Sequence, residues 1–318
     1  MGEFIVDADV MARTRFGISQ LTESLAGLVI LRSPDVRPWH RDWRDAHVDA
    51  FRARVAADPV AEALVAHAFG ASWTADFLTV PPTAPDQALE EELAYLESLD
   101  DDRIRADLEF VAGALPPVLT ATGLASTAAE LLRWVWQHTL SDDWDRRSRV
   151  LRADVVSRTA RLSSEGWSGA LDGIAPGVRW LSNGRLQVNA HPYPPRDIRG
   201  RDLLLIAAHS RGSWVSWRLP DTFAVVYPVT GMFAAAPLPL PEPLVRLLGR
   251  NRARLLARLG TPSSTSALAA GTGLPIGSVG GHLRVLLDAG LLERRRSGRE
   301  VLYWRSSAGE SLVQASAD

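Results

Sequence analysis

Four prolines at alternate positions, in Ala236-Pro237-Leu238-Pro239-Leu240-Pro241-Glu242-Pro243, constrain this chain more than any other feature. Proline fixes φ and pushes the residue before it into extended geometry, so neither a helix nor a sheet interior runs across such a stretch. The spacing predicts a stiff, polyproline-like spacer between two folded parts. With 318 residues the chain is long enough for two domains. The expected division is a body over 1–236, a spacer over 237–243 and a smaller module over 244–318.

The formal net charge of −2 hides a change of sign at that spacer. Between Leu244 and Arg305 eleven arginines face three acids, formally +8, whereas residues 1–243 carry a formal −8. A basic module beside an acidic body points to a polyanion partner for the module. Every one of the 35 basic residues is arginine, which excludes Schiff-base lysine chemistry and a phosphate-loop lysine. The absence of cysteine excludes disulfides, thiolate metal sites and a cysteine nucleophile. No apolar run approaches the ~18 residues that span a bilayer. Glu3, Asp7 and Asp9 stand where a secretory signal carries positive charge. The expectation is a soluble, cytoplasmic chain with no membrane partner.

After the spacer, Leu244, Leu247, Leu248, Leu255, Leu256 and Leu259 recur at helical spacing until Gly260-Thr261-Pro262 stops the run. Ser264 or Thr265 is placed to cap a short helix over Ser266 to Ala270. Gly273-Leu274-Pro275 makes a tight turn, and a second helix is expected from Ile276 to Ala289, ending at Gly290. Helix, glycine-containing turn and second helix make a helix-turn-helix. The period then changes. Leu291 to Arg296 and Arg299 to Trp304 flank Ser297-Gly298 as a β-hairpin, which after a helix-turn-helix is a wing.

The segments Ser263-Ser264-Thr265-Ser266-Ala267-Leu268-Ala269, Val279-Gly280-Gly281-His282-Leu283-Arg284-Val285-Leu286-Leu287-Asp288-Ala289-Gly290-Leu291-Leu292 and Arg296-Ser297-Gly298-Arg299-Glu300-Val301-Leu302-Tyr303 together resemble ArsR-type winged-helix repressors. More diffuse similarity to a long actinobacterial subgroup of these regulators lies in Phe77 to Pro82, Trp144, Arg152 to Val155, Gly200 to Leu205 and Val226 to Pro228. The resemblance implies a homodimer that binds double-stranded DNA by sequence, and an N-terminal domain with no assigned activity. Metal-sensing relatives use cysteine clusters or His/Asp pairs in a terminal helix. This chain has no cysteine, and residues 306–318 hold no histidine, so neither a metal nor another cofactor is expected.

On a helix turning about 100° per residue, Val279, Leu283, Leu286 and Leu287 share the inward face and Gly281 stands at the centre of the outward one. The candidate DNA-binding residues are Thr265, Ser278, Gly281, His282, Arg284 and the wing arginines Arg294, Arg295, Arg296 and Arg299. Two accounts of the glycines stand. Bare backbone lets the helix approach base edges closely, or the reading head is degenerate and affinity is mostly phosphate-driven. His282 also fits a packing role against the wing. Arg246, Arg250 and Arg254 fit a solvated helix face.

The body reads as mainly helical, with helices from Ser19 to Leu31, Trp39 to Ala57, Val60 to Phe69, Ala88 to Leu99, Ser126 to Leu140 and Trp144 to Gly166. The segments Arg13 to Ile18, Arg185 to Asn189, Leu203 to Ala208 and Phe223 to Tyr227 are expected to form a small antiparallel sheet. The fold class is therefore α+β, mainly helical, with a C-terminal winged helix-turn-helix. The body has no glycine-rich nucleotide loop, no His-Glu-x-x-His and no Gly-x-Ser-x-Gly, so no enzyme is expected. His138 and Asp142 have the spacing of two metal ligands but are read more simply as helix-end residues. Ten of the eleven tryptophans precede the spacer. Trp134, Trp136, Trp214 and Trp217 are candidates to line a pocket for an apolar or aromatic effector, and core packing is the alternative.

The sequence is thus read as a dimeric repressor on an inverted-repeat operator, released by a small molecule in the body. An enzyme with an appended DNA-binding module and a ligand-independent interaction protein are the rivals.

Overall fold

The computed structural model describes residues 2–316 apart from 35, 37, 85, 182, 230–239, 260–262 and 298–299. Two compact units result, Met1–Thr230 and Gly231–Asp318. Pro237 and Pro239 of the expected spacer lie outside the described residues, and a helix already begins at Glu242, ahead of Pro243. Among the described residues no helix is long and apolar enough to cross a membrane.

The fold is α+β and mainly helical. In the N-terminal unit the helix Gln20–Arg32 is buried along almost its whole length, since apolar and small residues surround it on all sides. Ser19 Oγ accepts the Thr22 N–H at 2.9 Å and so starts it. The helix Leu124–Thr139 packs beside it through an apolar stripe that includes Leu131, Leu132 and Val135. The Asp101 carboxylate caps that helix from another element, taking the Gly123 and Leu124 N–H groups at 2.8 Å each. Helices Pro38–Ala56, Pro59–His67, Leu89–Glu97 and Asp101–Ala112 close this core around Phe51, Leu64, Phe77, Leu93, Ile104 and Leu108.

Two four-stranded sheets replace the single antiparallel sheet expected from the sequence. Arg179–Leu181, Arg185–Gln187, Glu3–Ile5 and Arg196–Asp197 form one, in that spatial order. Arg15–Gly17, Asp202–Ala208, Thr222–Pro228 and Trp214–Arg218 form the other. In the second sheet Asp202–Ala208 is parallel to both neighbours, and only Trp214–Arg218 runs antiparallel. The reason is burial on both faces: Leu203, Leu205 and Ala207 enter one core, while Leu204, Ile206 and Ala208 enter another. Such an unbroken apolar run is the mark of a parallel strand covered on both sides. The long helix Trp144–Leu171, kinked at Gly166, packs near Asp202–Ala208 and Arg15–Gly17.

In the C-terminal unit the expected single helix is two, Glu242–Leu248 and Arg250–Arg258, broken where Gly249 takes φ +78°. The helices Thr265–Thr272 and Ile276–Asp288 follow, with Gly273 at φ +70° in the turn between them. The strand Leu292–Ser297 pairs antiparallel with Glu300–Arg305, which pairs on its other side with Ser263–Ser264. A final helix, Ser307–Ala315, is absent from the sequence reading. Leu244, Leu255, Leu256, Leu268, Val279, Leu283, Leu286 and Leu292 make the core.

Candidate nucleic-acid interface

The helix Ile276–Asp288 is fixed by its inward residues and bare on its outward side. Val279, Leu283 and Leu286 are buried, whereas Gly277, Ser278, Gly280, Gly281 and Arg284 are exposed and His282 is half-buried. A methyl group built on Gly277, Gly280 or Gly281 would meet no atom within 4 Å. Nothing inside this unit therefore requires glycine there, although each interior glycine costs the helix about 1 kcal/mol against alanine. Two apolar side chains on the same helix, outside the candidate set, are also exposed, Ile276 at 60% and Val285 at 45%. Their signal is an apolar residue off the inward stripe, which composition alone does not mark.

Thr265 opens the preceding helix and is half-buried, beside a hydroxyl contact of 2.9 Å between Ser264 and Ser266. On the wing, Arg294 is exposed and stands opposite Tyr303. The backbones of Arg295 and Arg296 continue the strand, and Arg299 lies outside the described residues. The hairpin is braced by the Trp304 indole N–H, which donates to Glu293 at 3.0 Å. Arg305 is tied to Glu310 at 3.1 Å, so its charge is partly spent within the unit.

Of the four tryptophans proposed to line a pocket, Trp134, Trp136 and Trp214 border one core and Trp217 enters another. Trp134 lies between Phe51 and His138, whose ring stacks on it at 4.6 Å. Trp136 packs edge-on against Trp144 at 5.0 Å. Trp214 and Trp217 are three apart on one strand and enter different cores. Alternation along a strand forces that separation. Trp217 donates its indole N–H to Asp76 at 3.0 Å, as Trp73 does at 3.1 Å. The His138 ring nitrogen Nδ1 lies 3.0 Å from the Trp134 carbonyl.

A buried charge network in the N-terminal unit had no sequence signal, because its members are up to 186 positions apart. The Glu23 carboxylate accepts the His209 backbone N–H at 2.6 Å, sits 3.1 Å from His209 Nδ1 and lies 3.6 Å from Arg147. Burial pushes the Glu23 carboxyl up, but His209 and Arg147 outweigh it and hold it below the ordinary carboxylate value. Burial, with the nearby charge of His209, Arg147 and Arg211, holds the His40 imidazole down at about 4.

Residues 247–295 match the family model described as a helix-turn-helix domain. That segment spans both helices of the motif and reaches into the first strand of the wing. The C-terminal unit is a helix-turn-helix domain, and it supports a DNA-binding regulator. Comparison with curated proteins and with solved structures gave no match.

Proposed function

We propose that the chain is an ArsR-type transcriptional repressor rather than an enzyme. It binds double-stranded DNA as a homodimer and is controlled through its N-terminal unit. The observation that carries this reading is the exposed, glycine-bearing face of the helix Ile276–Asp288 within a region of formal charge +8. A helix with that face enters a major groove, with Ser278, His282 and Arg284 toward base edges and Val285 able to touch a thymine methyl. The wing arginines lie over the sugar–phosphate backbone. Two-fold symmetry implies an inverted repeat with half-sites about 10 bp apart, or a multiple of that. An effector that binds the N-terminal unit differently in its two states changes operator affinity, with a coupling of about 1–3 kcal/mol.

The test is a gel-shift series with genomic and random fragments from low to high salt, alongside sedimentation of the protein alone. The expected outcome is a dimer whose affinity falls steeply with salt as counterions are released, with some genomic fragments retained above random ones. A monomer that ignores DNA even in dilute buffer overturns the reading.

A further inference from the structure

The first turn of the helix Ile276–Asp288 carries one large side chain, and it is apolar. Ile276 belongs neither to the buried core of its unit nor to the partly buried apolar residues packed against that core. Gly277 and Ser278, which follow it, are exposed as well. The backbone beneath Ile276 is nevertheless well fixed. Thr272 Oγ1 donates to the Leu268 carbonyl at 2.6 Å, and Gly273 turns the chain at φ +70°. Leu274 packs on the core, and the Val279 N–H donates to the Pro275 carbonyl at 3.1 Å. Val279 itself is buried and anchors the turn.

A single exposed isoleucine is ordinary on most surfaces, so its position must carry the argument. Residues four apart on a helix are neighbours, and the neighbour of Ile276 on the next turn is Gly280. With Gly277 beside it and Gly280 above it, no side chain stands between Ile276 and a surface laid against the helix. The N-terminal residues of the second helix of a helix-turn-helix are those that reach base edges. Apart from glycine, the exposed residues of this helix are Ile276, Ser278, Arg284, Val285 and Asp288. They include no amide, the side chain that reads adenine by two hydrogen bonds. A second copy of the chain would bring the same positive charge to this face, whereas DNA brings the opposite one.

We infer that Ile276 reads the C5-methyl group of a pyrimidine in the major groove and so sets base preference at one position of each half-site. Thymine carries that methyl group in ordinary DNA, and 5-methylcytosine carries it in modified DNA. The inference rests on the DNA-binding reading above and adds to it one residue and one chemical group. Burial of an apolar surface needs no donor or acceptor, so the contact answers to the methyl and not to the hydrogen-bonding edge of the base. Removing the methyl alone, with every hydrogen bond of the base pair kept, therefore isolates it.

The experiment selects duplexes from a random pool with the full chain. Each thymine of the selected half-site is then replaced by uracil and each cytosine by 5-methylcytosine, and dissociation constants are read by gel shift at fixed salt. At one position, thymine to uracil should weaken binding about four-fold per half-site, the worth of one methyl group taken from water. Ile276→Ala should bind the thymine duplex at least as weakly as the native chain binds the uracil one, and should not distinguish the two. Its thermal midpoint should stay near the native value, because the side chain lies outside the core. Ile276→Val, which keeps a branched apolar side chain, should retain part of the discrimination. Tighter binding on methylating a cytosine, with uracil tolerated throughout, names 5-methylcytosine as the source. A native chain indifferent to both changes at every position overturns the contact, as does an I276A protein that still loses four-fold on uracil. So does an I276A protein that sediments as a monomer where the native chain is a dimer, since Ile276 then lies between copies. A chain that retains no duplex fails as a DNA-binding protein altogether, whereas one that selects a site yet ignores the methyl keeps that reading and loses only this contact.

Discussion

Replacing Gly281 by alanine separates the two accounts of the bare reading helix, because it moves stability and DNA affinity in opposite directions. The new methyl meets nothing within 4 Å in the protein, so no strain offsets the gain in helix propensity. The expected stabilisation is about 1 kcal/mol. In a domain of this size that raises the unfolding midpoint of the C-terminal unit by roughly 4–8 °C. If the helix lies against base edges at Gly281, the same methyl intrudes on the groove. Overpacking of that kind costs about 1–3 kcal/mol, or roughly 5- to 150-fold in affinity. Gly280→Ala is the internal comparison. It should stabilise equally, but it stands nearer the buried flank and should cost less binding. Calorimetry of the free protein and gel shifts on a selected operator supply the two readouts. A G281A protein that is more stable and binds as tightly as the native one refutes close approach. It would leave a helix whose affinity is set by phosphates.

Burial pushes the Glu92 carboxyl up to about 8, although Ser19 Oγ donates to it at 2.5 Å. Its folded value lies above the unfolded one, so its contribution is fully present below pH 4.5 and is lost as pH rises toward 8. The free energy of urea unfolding should therefore fall over that range by about 3–5 kcal/mol, and the profile should flatten in Glu92→Gln; parallel profiles for the two proteins would refute this. Arg147→Met strands the Glu23 carboxylate in the core and should cost about 3–5 kcal/mol in denaturant unfolding, with a loss under 1 kcal/mol counting against a working ion pair. Arg294→Ala should lower the salt slope of DNA binding by about one, Arg284→Ala should relax base preference at a cost of about 1–3 kcal/mol, and Arg133→Ala, whose charge is held by Glu90 and Glu97, should change neither.

What was legible in the sequence is what short-range periodicity carries. Ser19, Pro59 and the inward stripe Val279, Leu283 and Leu286 mark their helices because caps and faces are written within a few residues. The run from Leu244 to Leu259 misled because leucine spacing stays helical across Gly249, and only the backbone reveals the break. The pairing direction of Asp202–Ala208 was not legible. An apolar run states that both faces are covered, and its partners Gly17 and Pro228 depend on how the intervening chain returns. The separation of Trp214 from Trp217 was hidden for a related reason. Positions 214 and 217 are neighbours in sequence, but an odd spacing on a strand sends them to opposite faces. The contacts of Glu23 with His209 and Arg147 lay beyond any local pattern.

Because every cation in this chain is arginine, residue type says nothing about role, and the partner of each guanidinium must decide it. In the N-terminal unit arginines are largely committed: Arg133 to Glu90 and Glu97, Arg158 to Asp154, Arg185 to Glu3, Arg201 to Asp221. Those charges hold elements together and offer little to a second molecule. Arg284 and Arg294 in the C-terminal unit, and Arg32 and Arg211 in the N-terminal one, are exposed without a carboxylate among the described residues. An exposed, unpaired arginine keeps its full capacity for a phosphate or carboxylate. The first pair lies on a helix and a strand within a basic module, where a long polyanion fits. In the second, Arg211 donates to the Ser33 hydroxyl and Arg32 lies over the Phe69 ring. The surroundings of each guanidinium, rather than its residue type, therefore set what it can hold.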